Sequence, residues 1–170
     1  MRSQSLDFTD FYREARDKCL RTVLVSVGDQ DAAQDLVDEA FARACASWRT
    51  VSKHPAPAAW VVRTALNENI TRWRRRRREV AVPDLATFAD LPGSYGAGDR
   101  AFDPRVMAAL LRLPARQRQV VALRVFLDLD TDRTAAVLGV APSTVKAHLS
   151  RALGALRDDL VPIPEQENQS

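Results

Sequence analysis

The sequence predicts an all-α protein of two small helical domains joined by a flexible linker. Three observations predict it. Apolar residues recur at spacings of three and four in two long stretches, residues 8–73 and 104–160, the period of helices that bury one face. Aromatic residues make up only 6% of the chain, which disfavours a β-sandwich, since strands are enriched in them. Between the two stretches, residues 80–103 hold Pro83, Pro92, Gly93, Gly96 and Gly98 and show no sustained period, as a linker would. A length of 170 residues suits two domains of this size.

The first helix is expected from about Asp7 to Val27, with Phe8, Phe11, Tyr12, Ala15, Cys19, Val23 and Val27 on one face. Gly28 stops it. Asp31 with Gln34 resembles a capping box, with Asp29 as the alternative cap. The second helix runs to about Trp48 and buries Ala33, Leu36, Val37, Ala40, Phe41, Ala44 and Trp48. His54-Pro55-Ala56-Pro57 breaks the pattern. A third helix starts near Ala58 and turns Val62, Leu66, Ile70 (or Asn69) and Trp73 to the core. These three helices form a bundle near the lower limit for an independent core. Asp103-Pro104 restarts order as an N-cap followed by proline at the first helical position. Helices are expected at 104–112, 115–127, 131–138 and 142–160, followed by a polar tail.

Net charge is only +3, but its distribution is uneven. Trp60 to Glu79 carries seven arginines against Glu68 and Glu79, and five of them follow Trp73 in succession. Residues 80–103 carry Asp84, Asp90, Asp99 and Asp103 against Arg100. A basic block suits a polyanion, and the acidic block beside it has a different task. Cys19 and Cys45 both fall at apolar helical positions and are expected to be buried, reduced thiols. Cys19, Cys45, His54 and His148 are too far apart in sequence to suggest a metal site, and nothing calls for a cofactor. No secretory or membrane-spanning apolar run is present, so a cytoplasmic chain is expected.

The C-terminal stretch carries a helix-turn-helix pattern. Thr134-Ala135-Ala136-Val137-Leu138 leads to Gly139 and then to Ser143-Thr144-Val145-Lys146-Ala147-His148-Leu149-Ser150-Arg151. Such a second helix reads duplex DNA in the major groove. Val145, Leu149, Ala152 and Leu156 should bury one of its faces on Val120, Leu123, Ala135 and Leu138. Ser143, Lys146, Ala147 and Ser150 line a second face, with Thr144, His148 and Arg151 beside it. These groups are hydrogen-bonding or cationic, suited to bases and phosphates. Ala141 stands where a capping Ser or Thr is expected.

The N-terminal half resembles a known family. Gln34-Asp35-Leu36-Val37-Asp38-Glu39-Ala40-Phe41 is similar to the core-binding helix of extracytoplasmic-function (ECF, group 4) sigma factors, of the sigma-70 family. Trp60-Val61-Val62-Arg63-Thr64-Ala65-Leu66-Asn67, running into the arginines, resembles their promoter −10 segment. Gly139-Val140 with Thr144-Val145-Lys146 resembles their −35 reader. The resemblance implies a region 2-like domain at 1–79, an acidic flexible linker at 80–103, a region 4-like domain at 104–162 and a disordered tail at 163–170. It implies contact between Gln34, Asp35, Asp38 and Glu39 and the β′ clamp helices of core RNA polymerase, with the β flap as a further polymerase contact. It implies −10 DNA contacts by Trp60, Arg63, Asn67, Arg72, Arg74, Arg75, Arg76, Arg77 and Arg78, with Asn67 capturing an extruded base. It implies −35 contacts by Ser143, Thr144, Lys146, Ala147, His148, Ser150 and Arg151. Ala147 and His148 replace the Ser and Arg common in the family, which points to an unusual −35 preference. The linker aspartates would mimic nucleic acid in the polymerase cleft or serve only as a tether. An anti-sigma factor is a usual partner of the family.

Two other functions compete. A LuxR-type transcriptional regulator fits Thr144-Val145-Lys146-Ala147-His148-Leu149 locally but leaves the N-terminal bundle unexplained. A nuclease would need a carboxylate cluster, phosphate loop or nucleophile constellation, and none stands out. The leading expectation is a DNA-binding transcription factor with no bond-making chemistry of its own.

Overall fold

The computed structural model describes residues 2–79 and 103–161, with side chains from Phe8 onward. The expected linker and tail fall almost wholly outside the described residues. The N-terminal half comprises α1 (Arg2–Val27), α2 (Gln30–Ala46), the single turn α3 (Trp48–Val51) and α4 (Pro57–Glu79). The C-terminal half comprises α5 (Pro104–Arg112), α6 (Ala115–Val121, continuing through a π-helical turn at Ala122–Phe126), α7 (Thr131–Leu138) and α8 (Pro142–Leu160). No strand occurs among the described residues.

Local chemistry sets most boundaries. Gly28 ends α1 at φ 81°, a conformation that costs a residue with a Cβ. A Cβ there would also stand 3.3 Å from Leu111 Cδ2. Asp29, not Asp31, caps α2: its carboxylate accepts from the Ala32 N–H, so the capping-box reading is corrected by two residues. The second helix also ends earlier than expected, at Ala46, with Trp48 opening α3. Asp103 caps α5, and Pro104 supplies the first turn, as expected. Asp130 caps α7, and Gly139 closes it at φ 66°. The expected straight helix 115–127 instead widens into the π turn. Asp128 follows at φ 54°, and the Arg124 guanidinium donates to the Leu129 carbonyl. The bend buries Leu123, Leu127 and Leu129 together.

Both expected halves are present, and they pack on one another. α1 meets α2 and α4 on one side and α5, α6 and the π turn on the other, while α4 meets α7. One buried cluster therefore runs from Cys19, Val23 and Val62 to Met107, Leu110 and Leu123. Five successive residues of α1, Thr22 to Ser26, are buried, and at their centre is the apolar run Val23-Leu24-Val25, richer than a helix with one buried face carries. The two hydroxyls there are satisfied within the helix: Thr22 donates to the Lys18 carbonyl and Ser26 to the Thr22 carbonyl.

Two core expectations are corrected. Ile70 is 44% exposed, and the alternative, Asn69, takes the half-buried position on α4 instead. Cys45 is exposed, lying on the outer face of α2. Cys19 is buried, and burial pushes its thiol up to about 12. No helix among the described residues is long and apolar enough to cross a membrane.

Candidate nucleic-acid interface

The geometry of α4 gathers one set of polar groups. Trp60, Thr64, Asn67, Glu68 and Thr71 recur at helical spacing along one stripe. Arg43, Ala46 and Ser47 from the end of α2 face them. Together they line an open cavity of about 510 Å³, within the range of small-ligand sites. Trp60 is half-buried and packs against the core. Asn67 is exposed.

Four charged side chains tie α2 to α4 beneath this cavity. Arg72 Nη2 donates to Glu39 Oε2 at 2.5 Å, and Arg72 Nε to Glu68 Oε1 at 3.3 Å. Arg43 Nη2 bridges Glu39 Oε1 at 2.5 Å and Glu68 Oε2 at 3.3 Å. Burial pushes the Glu39 carboxyl up, but the hydrogen bonds from Arg72 and Arg43 outweigh it and hold the group below the usual carboxylate range. Burial likewise works against the Arg72 charge, and Glu39 and Glu68 more than restore it. Two of the expected contacts are therefore already engaged. Glu39 serves as an internal clamp and Arg72 as its partner, because they face each other across the α2–α4 seam.

The rest of the basic helix is open. Arg63 and Arg74 through Arg78 are exposed. Arg77 lies over the Trp73 ring at 4.7 Å, a cation–π contact. Five successive helical residues span more than a turn, so the guanidinium groups cannot all reach one strand backbone.

On α2, Gln34, Asp35 and Asp38 are exposed, while Leu36, Val37 and Phe41 are buried. Asp38 lies 4.0 Å from Arg16 of α1. Beside it is a hollow of about 470 Å³ lined by Phe8, Tyr12, Arg16, Phe41, Ala42 and Cys45. Aromatic contacts join the rings of its wall, with Tyr12 edge-on to Phe41 at 5.0 Å and Phe8 tilted against Tyr12 at 6.3 Å. Periodicity marked these aromatics as core and missed that some line an open hollow.

The helix-turn-helix has the expected form. Val145 is buried and packs in a cluster with Val120, Ala135, Leu138 and Leu149. Ser143, Lys146, Ala147, Ser150 and Arg151 are exposed, with Thr144 and His148 half-buried. His148 Nδ1 is buried and makes no hydrogen bond among the described residues. The ring is thus only partly presented to the reading face. Ala141 occupies the cap position in extended backbone with no side-chain hydrogen bond. Ala141→Ser is expected to stabilise the chain by about 1 kcal/mol. A rise in melting temperature checks this, and an unchanged or lower value contradicts it.

Comparisons with known proteins agree with this architecture. Residues 9–79 match the Sigma-70 region 2 family and residues 104–156 match Sigma-70 region 4. The RNA polymerase sigma-E factor of Streptomyces coelicolor is 35% identical over 92% of this chain and 87% of its own length. The RNA polymerase sigma factor SigV of Bacillus subtilis is 33% identical over 89% of this chain and 84% of its own. The sigma factor RpoE of Bartonella quintana, solved in complex with the anti-sigma factor NepR, superposes with a TM-score of 0.70 at 26% identity. It covers 91% of this chain and 96% of that one. The LuxR-type alternative is not supported, since the N-terminal bundle is matched as sigma region 2. A DNA-reading helix and a region 2 bundle in this order, on one chain, identify it as a member of the ECF branch of the sigma-70 family of RNA polymerase sigma factors.

Proposed function

We propose that the chain is a promoter-specificity subunit that binds core RNA polymerase through the Asp35–Asp38 face of α2. It reads a −35 element with α8 and captures an extruded base of the melted −10 strand in the α4 cavity. The observation that carries this is the pairing of an open recognition helix with a cavity that brings Trp60 and Asn67 together beside an exposed arginine run. Lys146 and Arg151 approach phosphates or base edges in the major groove, with Ser143 and Ser150 alongside. The free arginines of α4 hold the strand backbone. Each phosphate contact adds about 0.9 to the salt-dependence slope. The chain makes and breaks no bond: capture of the single strand offsets unpairing and unstacking. Its place of action is the cytoplasm, where polymerase and promoter are. An anti-sigma factor is a further partner, supported by the overlay on the NepR-bound relative across 91% of the chain.

The shared core implies an opening step. A compact chain of this size measures about 40 Å across. Elements named for positions 25 base pairs apart lie about 85 Å apart, at about 3.4 Å per base pair. The halves must separate to read both. Residues 80–102 can reach at most about 80 Å fully extended, at roughly 3.5 Å per residue, which with the domains themselves is enough.

Energy transfer tests binding and opening together. A donor on the exposed Cys45 and an acceptor on Asp158→Cys should report close halves in the free chain. Transfer should fall on addition of core polymerase. Absence of core binding contradicts the functional reading. Binding without loss of transfer contradicts the opening step alone.

A further inference from the structure

We propose that Glu68 selects the base held in the α4 cavity, accepting a hydrogen bond from an exocyclic amino group and so disfavouring thymine. The inference rests on the reading of that cavity as the site of base capture, and it names the chemical class of base.

Asn67 cannot select by itself. Its amide offers both a donor and an acceptor, so by turning over it suits any base edge. The groups around it are less adaptable. Thr64 donates its hydroxyl proton to the Trp60 carbonyl at 2.8 Å, and Thr71 donates its own to the Asn67 carbonyl at 3.1 Å. Both hydroxyls therefore present only lone pairs to the cavity. Glu68 is an acceptor in the same wall. Its two oxygens each take one guanidinium hydrogen, Oε2 from Arg43 and Oε1 from Arg72, both at 3.3 Å. One acceptor position remains on each oxygen.

The same arginines explain how a carboxylate is tolerated in a DNA-binding cavity. They compensate its charge and, through their shared hold on Glu39, fix its position from two helices. The side chain is only 17% exposed, so the carboxylate is held in place and little screened. Thr64, Glu68 and Thr71 thus present acceptors along the α4 side of the cavity, while Arg43 on the opposite side commits its Nη2 to Glu39 and Glu68, so an occupant lying against α4 is favoured when it carries donors. Cytosine, adenine and guanine each carry an amino group on the pairing edge. Thymine carries a carbonyl on either side of its single N–H, and a carboxylate facing a carbonyl oxygen is repulsive. Trp60 stacks on any base and supplies affinity without choice.

The test uses holoenzyme assembled from the full chain and bacterial core polymerase. It binds fork-junction DNA with a single-stranded −10 segment. Each −10 position in turn carries cytosine or uracil, which exchange the amino group for a carbonyl, and adenine or purine, which differ only by the amino group. At one position the wild type should prefer the amino-bearing base by roughly tenfold. Glu68→Gln should reduce that preference to less than about twofold, because its amide can turn a donor toward a carbonyl. Glu68→Asp, which withdraws the carboxylate, should weaken the preference as well. Asn67→Ala should lower affinity for every base. An equal response of the wild type to both members of each pair overturns the proposal. So does a preference that survives both Glu68 variants. If Asn67→Ala binds all probes like the wild type, the capture reading itself fails, and the proposal with it.

Discussion

Leu123→Ala is expected to destabilise the entire chain by about 2–5 kcal/mol. Leu123 is fully buried in the π turn of the C-terminal half, and that turn packs on α1 of the N-terminal half. Removing three carbons from a closed core loses transfer energy and leaves a cavity. The site is also the junction of the two halves, so the loss should be felt on both sides. The tryptophans make this measurable. Trp48, Trp60 and Trp73 all lie in the N-terminal half. Their fluorescence should therefore move to a lower denaturant midpoint although the substitution is in the other half, and circular dichroism should give a coincident transition. A fluorescence midpoint that stays in place while circular dichroism splits into two steps would show that the halves fold independently.

The second large effect concerns the acidic face. Asp35→Lys combined with Asp38→Lys should weaken binding to core polymerase by about 100-fold, equivalent to about 2.7 kcal/mol. Both carboxylates are exposed, so the exchange should leave folding stability within about 0.5 kcal/mol of wild type. Reversal places like charges against a basic partner, which costs more than simple truncation. The loss should shrink at high salt, where exposed charges are screened. Glu39→Gln is the contrasting control. It disturbs the clamp between Arg72 and Arg43, so its effect should appear in melting temperature rather than in core affinity alone. Titration of labelled chain with core polymerase at two salt concentrations measures this. A change of less than twofold in the double reversal would remove the acidic face from the interface.

Much of this architecture could be read from periodicity and punctuation. Gly28, Asp103-Pro104 and Gly139 each act through a local backbone requirement, so each boundary follows from the residue alone. The recognition helix was legible for the same reason: Val145 and Ala152 are buried where a period of 3.6 puts them. What was not legible depends on partners distant in sequence. Periodicity allowed Ile70 or Asn69 on the core face, and the packing of α4 on its partners is what selects Asn69. Cys45 looked apolar in pattern yet falls on the outer side of α2. Glu39 and Arg72 read as free charges because nothing local shows that residues 33 positions apart meet at 2.5 Å. The union of the two cores was signalled only by the apolar run Val23-Leu24-Val25, too rich for a one-sided helix.

The sigma-factor activity itself is tested most directly by run-off transcription with core RNA polymerase, this chain and a pool of genomic promoter fragments. Transcripts should start only when both proteins are present, and the selected fragments should share a −35 and a −10 element at one spacing. The Asp35→Lys, Asp38→Lys chain should give none at equal concentration. No core-dependent initiation at any salt concentration, from a chain that is folded and binds DNA, would contradict the proposed function.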